Sequence, residues 1–356
     1  MIFPILYKYT TKGQVQQWQI VVKLNGFCTI EGIKDGKLTY SQFTYCTGKN
    51  IGKSNQTSDE QQALLEAQAK WQKKLDSGYN EVLTTEKKFF EPMLAFEFSK
   101  YEHLLFTVRT FIQPKLDGMR SYLNDKKHTS RKGIKIVSCP HLEFNFYGLD
   151  GELYNHELKN DFDKLMSLVR KTKPTIADLE ESKKLVQYWV YDYPYLGDKV
   201  FSERYDALKK TYEYFPRNFK LVPTYEVFNS EDIERYHKQF IDQGYEGSII
   251  RMDLGAYENK RSKQLLKKKD FIDNEWTIIG MKEGEGNRAG CAATLTIKLD
   301  SGVICEPTMT GTEEFMRQVW RDQKTVIGKQ VTVKYFGLTK DGSLRFPTVK
   351  HINDYN

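Results

Sequence analysis

Alternating apolar and polar residues open the chain and predict short strands rather than helices. Residues 17–22 alternate in this way, and Asn25–Gly26 has the composition of a tight hairpin turn. A polar loop follows, and Thr57 and Glu60 have the spacing of a helix capping box. Beyond them apolar residues recur every three or four positions, which predicts a helix that ends near Gly78. The residues predicted on its buried face are Leu64, Ala67, Trp71 and Leu75.

The middle of the chain alternates between helical and strand patterns. Ser202 is predicted to cap a helix whose apolar face carries Tyr205, Leu208, Tyr212 and Phe215. A second is predicted to start near Ser230, to end at Gly244, and to bury Ile233, His237, Phe240 and Ile241. The segment 247–251 directly after it has a strand pattern.

The last part of the chain is rich in β-forming residues. Strands are predicted at 276–279, 295–299 and 331–335, with a helix near 312–320. A five-stranded barrel with one helix is the simplest arrangement of these elements and is typical of oligonucleotide-binding folds. The chain is therefore predicted to be α+β, with a small N-terminal α+β domain at 1–88, a central domain at 89–270 and a C-terminal barrel domain at 271–356.

Composition narrows the class of protein. The chain has 356 residues and a formal charge of +7, which suits a polyanionic partner without requiring one. Its five cysteines form no C-x-x-C pair, and its six histidines show no metal-ligand spacing, so neither a disulfide framework nor a zinc site is predicted. No apolar run approaches the about 18 residues that cross a bilayer, and the N-terminus lacks the features of a signal peptide. We expect a soluble, intracellular and monomeric protein.

The segment Lys115-Leu116-Asp117-Gly118-Met119-Arg120 carries the clearest chemical signal. It follows an extended run, so Lys115 is predicted at the end of a strand, in a loop constrained by Gly118. A lysine in this position serves as a surface charge, a phosphate ligand or a nucleophile. The local residues alone leave all three roles open.

This segment resembles the nucleotidyl-lysine motif of covalent nucleotidyltransferases, which include ATP-dependent DNA ligases, RNA ligases and mRNA capping enzymes. Other motifs similar to those of the family follow in the same order. They are Ser130-Arg131-Lys132-Gly133, Leu149-Asp150-Gly151-Glu152-Leu153, Tyr188-Trp189-Val190-Tyr191-Asp192, Glu246-Gly247-Ser248-Ile249-Ile250-Arg251 and Leu265-Leu266-Lys267-Lys268-Lys269. The resemblance implies that residues 89–270 form a nucleotidyltransferase (adenylation) domain and that residues 271–356 form an OB-fold β-barrel.

The resemblance also implies a mechanism and a set of site residues. Lys115 attacks the α-phosphate of ATP and becomes a covalent lysyl-AMP. AMP then passes to the 5′-phosphate of a nick, and the 3′-hydroxyl displaces it. Glu152 and Glu246 are expected to hold Mg²⁺, and Glu152 also to contact the ribose. The residues expected to bind the nucleotide are Asp117, Arg120, Arg131, Glu152, Tyr191, Glu246, Lys267, Lys269 and Arg345.

Among the related activities, DNA ligation with nicked double-stranded DNA as substrate fits best, because Leu344-Arg345-Phe346-Pro347 resembles the C-terminal motif of ATP-dependent DNA ligases. An RNA ligase, a GTP-dependent capping enzyme and an inactive nucleic-acid-binding relative remain alternatives. The small size is typical of viral, phage or bacterial-type ligases. The chain departs from the family at Asn353, where a second arginine is expected. Slow self-adenylation would be one consequence.

Residues 1–88 weakly resemble a WGR-type DNA-binding domain, although the Trp-Gly-Arg triad is absent. Lys49, Lys53 and the backbone amides of Gly48 and Gly52 are candidates for binding DNA phosphates. A solvated polar loop explains the same residues equally well.

Overall fold

The computed structural model describes residues 1–10, 13–83, 89–285 and 288–355. The chain divides into two compact units, one made of Met1–Lys87 and Phe271–Asn356 and the other of Lys88–Asp270. The strands lie at Leu6–Tyr9 (β1), Val15–Lys23 (β2), Gly26–Ile33 (β3), Leu38–Tyr40 (β4), Thr44–Tyr45 (β5), Leu94–Glu97 (β6), Thr110–Lys115 (β7), Met119–Asn124 (β8), Lys127–Ser130 (β9), Tyr147–Tyr154 (β10), Gln187–Asp192 (β11), Phe219–Leu221 (β12), Tyr225–Val227 (β13), Gly247–Met252 (β14), Arg261–Lys268 (β15), Ile272–Glu283 (β16), Ala292–Lys298 (β17), Ile304–Cys305 (β18), Gln330–Tyr335 (β19) and Thr348–Ile352 (β20). The α-helices lie at Asp59–Asp76 (α1), Phe162–Val169 (α2), Ile176–Leu185 (α3), Phe201–Thr211 (α4), Ser230–Asp242 (α5), Glu313–Arg321 (α6) and Gln323–Val326 (α7).

The N-terminal segment is a sheet with one helix packed on it. Its strand order is β1-β2-β3-β4, with β5 paired to β3, and α1 contacts β2 and β3. Trp18 and Ala67 belong to the buried core between sheet and helix, as the alternating and helical patterns predict. The capping box lies one residue later than predicted. The Gln61 N–H donates to the Ser58 hydroxyl, and the Ser58 N–H donates to the side-chain oxygen of Gln61.

Two five-stranded sheets form the unit Lys88–Asp270. Their strand orders are β12-β11-β10-β8-β9 and β13-β7-β14-β15-β6. In the second sheet β14 lies between β7 and β15 and pairs antiparallel with both. Strand β7 is buried along all of its length except Lys115, and two of its buried residues, Thr110 and Gln113, are polar. The end of β7, which carries Lys115, is therefore two strands away from the lysine-rich end of β15.

Helices α4 and α5 pack on these sheets. Helix α4 begins at Phe201, so Ser202 is its second residue and not its cap as predicted. The carboxylate of Asp253 instead satisfies donors at the N-terminus of this helix. It accepts hydrogen bonds from the Ser202 N–H at 2.9 Å and from the Ser202 hydroxyl at 2.6 Å. Helix α5 matches its prediction more closely. Asn229 caps it, and Ile233, His237 and Phe240 are buried.

The C-terminal segment is a five-stranded antiparallel sheet of order β18-β17-β16-β19-β20, with α6 burying Met316 and Val319 against it. The predicted closed barrel is wrong, because this sheet is open. Strand β18 has only two residues, and beyond it the chain reaches both β17 and β20 through isolated bridges of Thr308 to Thr294 and Thr348. Too few residues lie on this side to complete a ladder between β18 and β20.

Two further observations concern the cysteines and the possibility of a membrane-spanning helix. The five cysteines are all free thiols. Among the described residues, no helix has both the length and the apolar character needed to cross a membrane.

Candidate active site

A pocket of about 310 Å³ lies in the unit Lys88–Asp270. Seven of the predicted site residues line it, namely Lys115, Arg120, Arg131, Glu152, Tyr191, Lys267 and Lys269. Gln113, Arg251 and Arg261 also line the pocket and were not among the predicted site residues. The pocket thus gathers cations from both sheets of the unit around the end of β7.

Lys115 and Glu246 are joined through both backbone and side chain. Lys115 is the last residue of β7, and Glu246 directly precedes β14, where Gly247 pairs with Lys115. The Glu246 N–H donates to the Lys115 carbonyl at 3.0 Å. The ammonium groups of Lys115 and Lys269 donate to the two different carboxylate oxygens of Glu246. Burial alone would raise the pKa of Glu246, but these two positive charges hold the pKa below its ordinary value.

Of the two lysines near the end of β15, one lies on the strand and the other just beyond it. Lys267 lies on the strand, and its ammonium is 2.8 Å from a carboxylate oxygen of Glu97. Lys269 lies one residue beyond the strand end, yet it reaches the same pocket. Burial, followed by the charge of Lys115, lowers the pKa of the Lys269 ammonium. The two lysines are therefore held by different carboxylates.

Two glycines permit the close approach of backbone segments at this site. Gly247 has φ +148°, and a Cβ atom there would lie 2.3 Å from the Lys268 carbonyl oxygen. A Cβ atom at Gly118 would lie 2.3 Å from the Leu153 carbonyl oxygen and 2.8 Å from Cγ of Glu152. Any larger residue at either position would push the strands that carry the charged side chains apart.

Glu152 has an unusual electrostatic environment. Burial raises the pKa of its carboxyl group to about 8, the charges of Lys115 and Arg120 oppose this, and the carboxylates of Glu246 and Asp150 add to it. Acidic groups that disfavour each other's ionisation form a donor set that a divalent cation stabilises. Mg²⁺ uses few carboxylates and keeps several waters, so Glu152 and Glu246 fit its requirements.

Arg120 is held in place by a buried carboxylate. Its Nε donates to Asp150 Oδ1 at 2.9 Å, and the Tyr257 hydroxyl donates to Asp150 Oδ2 at 2.9 Å. The guanidinium group lies 5.7 Å from the centre of the Tyr191 ring. Asp150 was not predicted as a site residue, although it stands two positions before Glu152 in the acidic motif.

A second buried network supports the strand that carries Tyr191. Asp192 is fully buried and accepts from Arg204 at 2.8 and 3.0 Å and from Arg251 at 2.6 Å. Arg251 Nε in turn donates to Gln113 Oε1 at 2.7 Å. Burial raises the pKa of Asp192, but the two guanidinium charges outweigh this effect and lower the pKa. This network links β11 of one sheet to β7 and β14 of the other.

Three predicted nucleotide-binding residues are not among those that line the pocket. One of them, Glu246, contacts Lys115 and Lys269, which do line it. Asp117 lies in the turn between β7 and β8. Arg345 belongs to the other compact unit, where its guanidinium group lies 5.8 Å from the Phe336 ring and 5.6 Å from the Phe346 ring. Their predicted roles stay predictions.

The predicted phosphate cradle in the N-terminal loop is not available in this conformation. The Gly48 N–H donates to Asp59 Oδ1 at 2.6 Å, and the Gly52 N–H donates to Gln56 Oε1 at 2.8 Å. The Lys49 ammonium pairs with Glu66 at 2.9 Å, but this pair is largely exposed. The two glycine amides are therefore engaged within the protein, and the side chains of Lys49 and Lys53 remain as the candidate phosphate ligands.

The arrangement in the central unit suits a reaction in which an amine attacks a phosphate. Lys115 supplies the amine, and several fixed cations surround it to neutralise phosphate oxygens. Glu152 and Glu246 are the candidate carboxylates for a divalent cation, and in this structure the two oxygens of Glu246 accept from Lys115 and Lys269. The Tyr191 ring lines the pocket, and the guanidinium groups of Arg120 and Arg251 lie 5.7 and 5.3 Å from its centre.

Comparisons with known protein families agree with this chemistry. Residues 92–269 match the family model described as "ATP dependent DNA ligase domain". Residues 283–352 match the model described as "DNA ligase OB-like domain". Neither match includes residues 1–91, so these comparisons leave the N-terminal segment undescribed.

Individual relatives are consistent with both matches. A DNA ligase of Haemophilus influenzae is 28% identical over 237 residues, which cover 66% of this chain and 83% of the relative. A DNA ligase of African swine fever virus (Malawi isolate) is 25% identical over 335 residues, which cover 80% of this chain and 76% of the relative. A solved structure from a study of Lig E DNA ligases superposes with a TM-score of 0.64 at 24% identity, covering 74% of this chain and 98% of the other.

Proposed function

The chain belongs to the family of ATP-dependent DNA ligases, and on this premise we propose that Lys115 is the residue that carries AMP during nick sealing. The contact of Lys115 with Glu246 in a cation-lined pocket carries this proposal. In the first step, the Lys115 amine forms a bond to the α-phosphorus of ATP, and pyrophosphate leaves. The amine must release a proton to attack, and Glu246 Oε2 is the acceptor already in contact with it.

The other pocket residues have separate roles in this first step. Arg120, Arg131, Lys267 and Lys269 neutralise phosphate oxygens that would otherwise repel the attacking amine. Tyr191 stacks on the adenine, and the Asp192 network keeps its strand in place. Asp117 adds a further contact near the turn after β7.

Glu152 and Glu246 would hold Mg²⁺, which supplies charge neutralisation at the phosphates when bound. Glu152 also offers a carboxyl group to the ribose hydroxyls. Its raised pKa means that cation binding must compete with a proton near neutral pH. The chain's own residues therefore make metal binding dependent on pH.

We further propose nicked double-stranded DNA as the substrate of the later steps, in which AMP passes to the 5′-phosphate and the 3′-hydroxyl displaces it. Arg345 of the OB domain would orient pyrophosphate in the first step, and Lys49 and Lys53 would contact DNA phosphates. The domain bounds are proposed as 1–88, 89–270 and 271–356. The protein is proposed to act as an intracellular monomer.

Intact-mass analysis of the purified protein tests this proposal directly. Incubation with ATP and Mg²⁺ is expected to add one AMP to the wild-type chain and none to Lys115→Ala. Labelling by GTP instead of ATP would indicate a capping enzyme. Sealing compared on DNA–DNA, DNA–RNA and RNA–RNA nicks distinguishes a DNA ligase from an RNA ligase. Absence of the adduct on nucleotide-free wild-type protein would refute the assignment of Lys115.

A further inference from the structure

Helix α5 contacts both residues next to Lys269 in the sequence, Lys268 and Asp270. Glu234 of α5 lies 3.1 Å from the Lys268 ammonium, and His237 Nε2 lies 3.0 Å from Asp270 Oδ1. Glu234 and His237 are three residues apart, so they lie on the same side of the helix. Lys269 is thus flanked on each side by a residue that α5 contacts.

His237 also connects this segment to the strand that follows Glu246. It is a buried residue whose Nδ1 lies 2.8 Å from the hydroxyl of Ser248, which is itself fully buried. A carboxylate only accepts hydrogen bonds, so Nε2 donates to Asp270, and in the neutral imidazole Nδ1 accepts from Ser248. Ser248 stands two residues after Glu246 and pairs with Lys268 across the ladder.

Lys269 lies at the end of the sheet, where strand pairing stops. Strand β15 ends at Lys268, so Lys269 lies just outside the strand pairing. Its ammonium nevertheless donates a hydrogen bond to the Glu246 carboxylate, which Lys115 also contacts. The imidazole of His237 is bonded on one side to the Glu246 strand and on the other to the residue after Lys269.

We propose that His237 is a positioning residue for the adenylation step, which fixes Lys269 against Glu246 through the Ser248–His237–Asp270 hydrogen bonds. It touches neither the nucleotide nor the reacting atoms. Loss of the imidazole frees the segment after β15, and the Lys269 ammonium then no longer stays on Glu246. This inference rests on the proposed role of Lys115, because it concerns the residues that surround that amine.

The reaction can be divided so that a positioning role and a general loss of structure give different results. Formation of lysyl-AMP needs the free amine of Lys115 together with Glu246 and Lys269. Sealing of a nick that already carries AMP on its 5′-phosphate does not need that amine. The variants are His237→Ala and Asp270→Ala, and the Asp270 side chain is 61% exposed, so its loss leaves the core intact.

Both variants are expected to slow single-turnover self-adenylation by about 10-fold or more, since each removes a hydrogen bond to a charged group. Sealing of the pre-adenylated nick should stay within about 2-fold of the wild-type rate. The double variant should be no slower than His237→Ala alone, because both changes break one connection. His237→Gln should recover part of the rate, since its amide can still donate to Asp270.

A matched control is His141→Ala. It removes a different histidine of the same unit, which is partly buried and whose Nε2 lies 3.1 Å from the Val186 carbonyl oxygen. This variant should adenylate at the wild-type rate. The inference is overturned if Asp270→Ala adenylates normally, or if His237→Ala loses both reactions equally. Failure of the wild-type protein itself to adenylate would instead contradict the proposed function.

Discussion

The carbonyl oxygen of Lys115 accepts the N–H of Glu246 at 3.0 Å, and the ammonium of the same lysine donates to the Glu246 carboxylate. The proposed nucleophile is therefore attached to one residue at both its backbone and the end of its side chain. This double attachment preorganises the amine before any nucleotide binds. It also makes Glu246 the residue on which the charge balance of the pocket depends.

Glu246→Gln is expected to slow self-adenylation by about 100-fold or more. The amide lacks the charge that balances two partly buried ammonium groups, and breaking a buried ion pair costs roughly 3–5 kcal/mol. Rapid-quench measurement with labelled ATP gives the rate. Glu97→Gln is the control, because it removes the more exposed partner of Lys267 and should cost less than 10-fold. Equal losses in the two variants would contradict this account.

The raised pKa of Glu152 predicts a pH dependence of stability. The pKa is about 8 in the folded protein and near the ordinary value of about 4.5 in the unfolded chain, so folding favours the protonated form. Its contribution is complete below about pH 4.5 and is lost as the pH rises through 8. Relative to Glu152→Gln, the wild-type protein should lose roughly 3–5 kcal/mol of unfolding free energy between pH 5 and pH 9.

Urea unfolding of both proteins at several pH values measures this difference. Comparing the two removes the effect of the other titrating groups. A difference that is constant from pH 5 to pH 9 would show that Glu152 ionises normally in the folded protein.

The Asp192 network is expected to matter for stability. Asp192→Asn leaves Arg204 and Arg251 without their shared negative charge in a buried site, which should lower the unfolding free energy by roughly 3–5 kcal/mol. Asp242→Asn, which breaks the exposed pair with Lys238, should cost under about 0.5 kcal/mol. Urea unfolding at neutral pH compares them. Similar midpoints for the two variants would disprove the structural role of the network.

Asn353 provides a test of the departure from the family. Asn353→Arg is expected to raise the single-turnover adenylation rate by about 10-fold, because it adds a charge that can pair with phosphate oxygens. Asn353 now donates to Glu275 Oε1 at 3.1 Å, so a new arginine has a competing partner. The change should therefore also be made together with Glu275→Gln. If the adenylation rate rises little in Asn353→Arg, both alone and combined with Glu275→Gln, then Asn353 is not the cause of slow self-adenylation.

The N-terminal loop makes a prediction about salt. If Lys49 and Lys53 contact DNA phosphates, replacing both by alanine should weaken binding to nicked DNA and reduce the salt slope by about two units. Lys70→Ala with Lys73→Ala, on the exposed part of α1, is the matched control and should change neither quantity. Unchanged affinity of the Lys49 and Lys53 variant at low salt would exclude the loop from the DNA interface.

Local signals predicted the elements well. The helical period placed Ile233, His237 and Phe240 on the buried side of α5, and the motif order brought Lys115, Glu152 and Lys267 to one pocket. The capping residue of α1 was missed by one position, because Thr57 and Ser58 are chemically equivalent as caps. Errors of this kind concern boundaries and do not move the site.

What could not be predicted depends on contacts between distant parts of the chain. The pairing of Asp192 with Arg251 spans 59 positions, and nothing near either residue signals it. The open C-terminal sheet could not be predicted for the same reason, since closure of a barrel depends on how two edge strands far apart in the chain meet. The support of Lys269 by α5 likewise appears only when the helix is packed on its sheet.

The strand order of the central unit has a consequence for how much this site can vary. One strand, β14, separates the strand of Lys115 from the strand of Lys267, so the backbone spacing between these two residues follows from two main-chain ladders. Hydrogen bonds between strands join main-chain groups, so the distance between paired strands depends little on the side chains. Side chains on these strands, apart from Gly247, can therefore vary without altering the backbone spacing between Lys115 and Lys267, in keeping with a fold shared with a DNA ligase structure at 24% sequence identity.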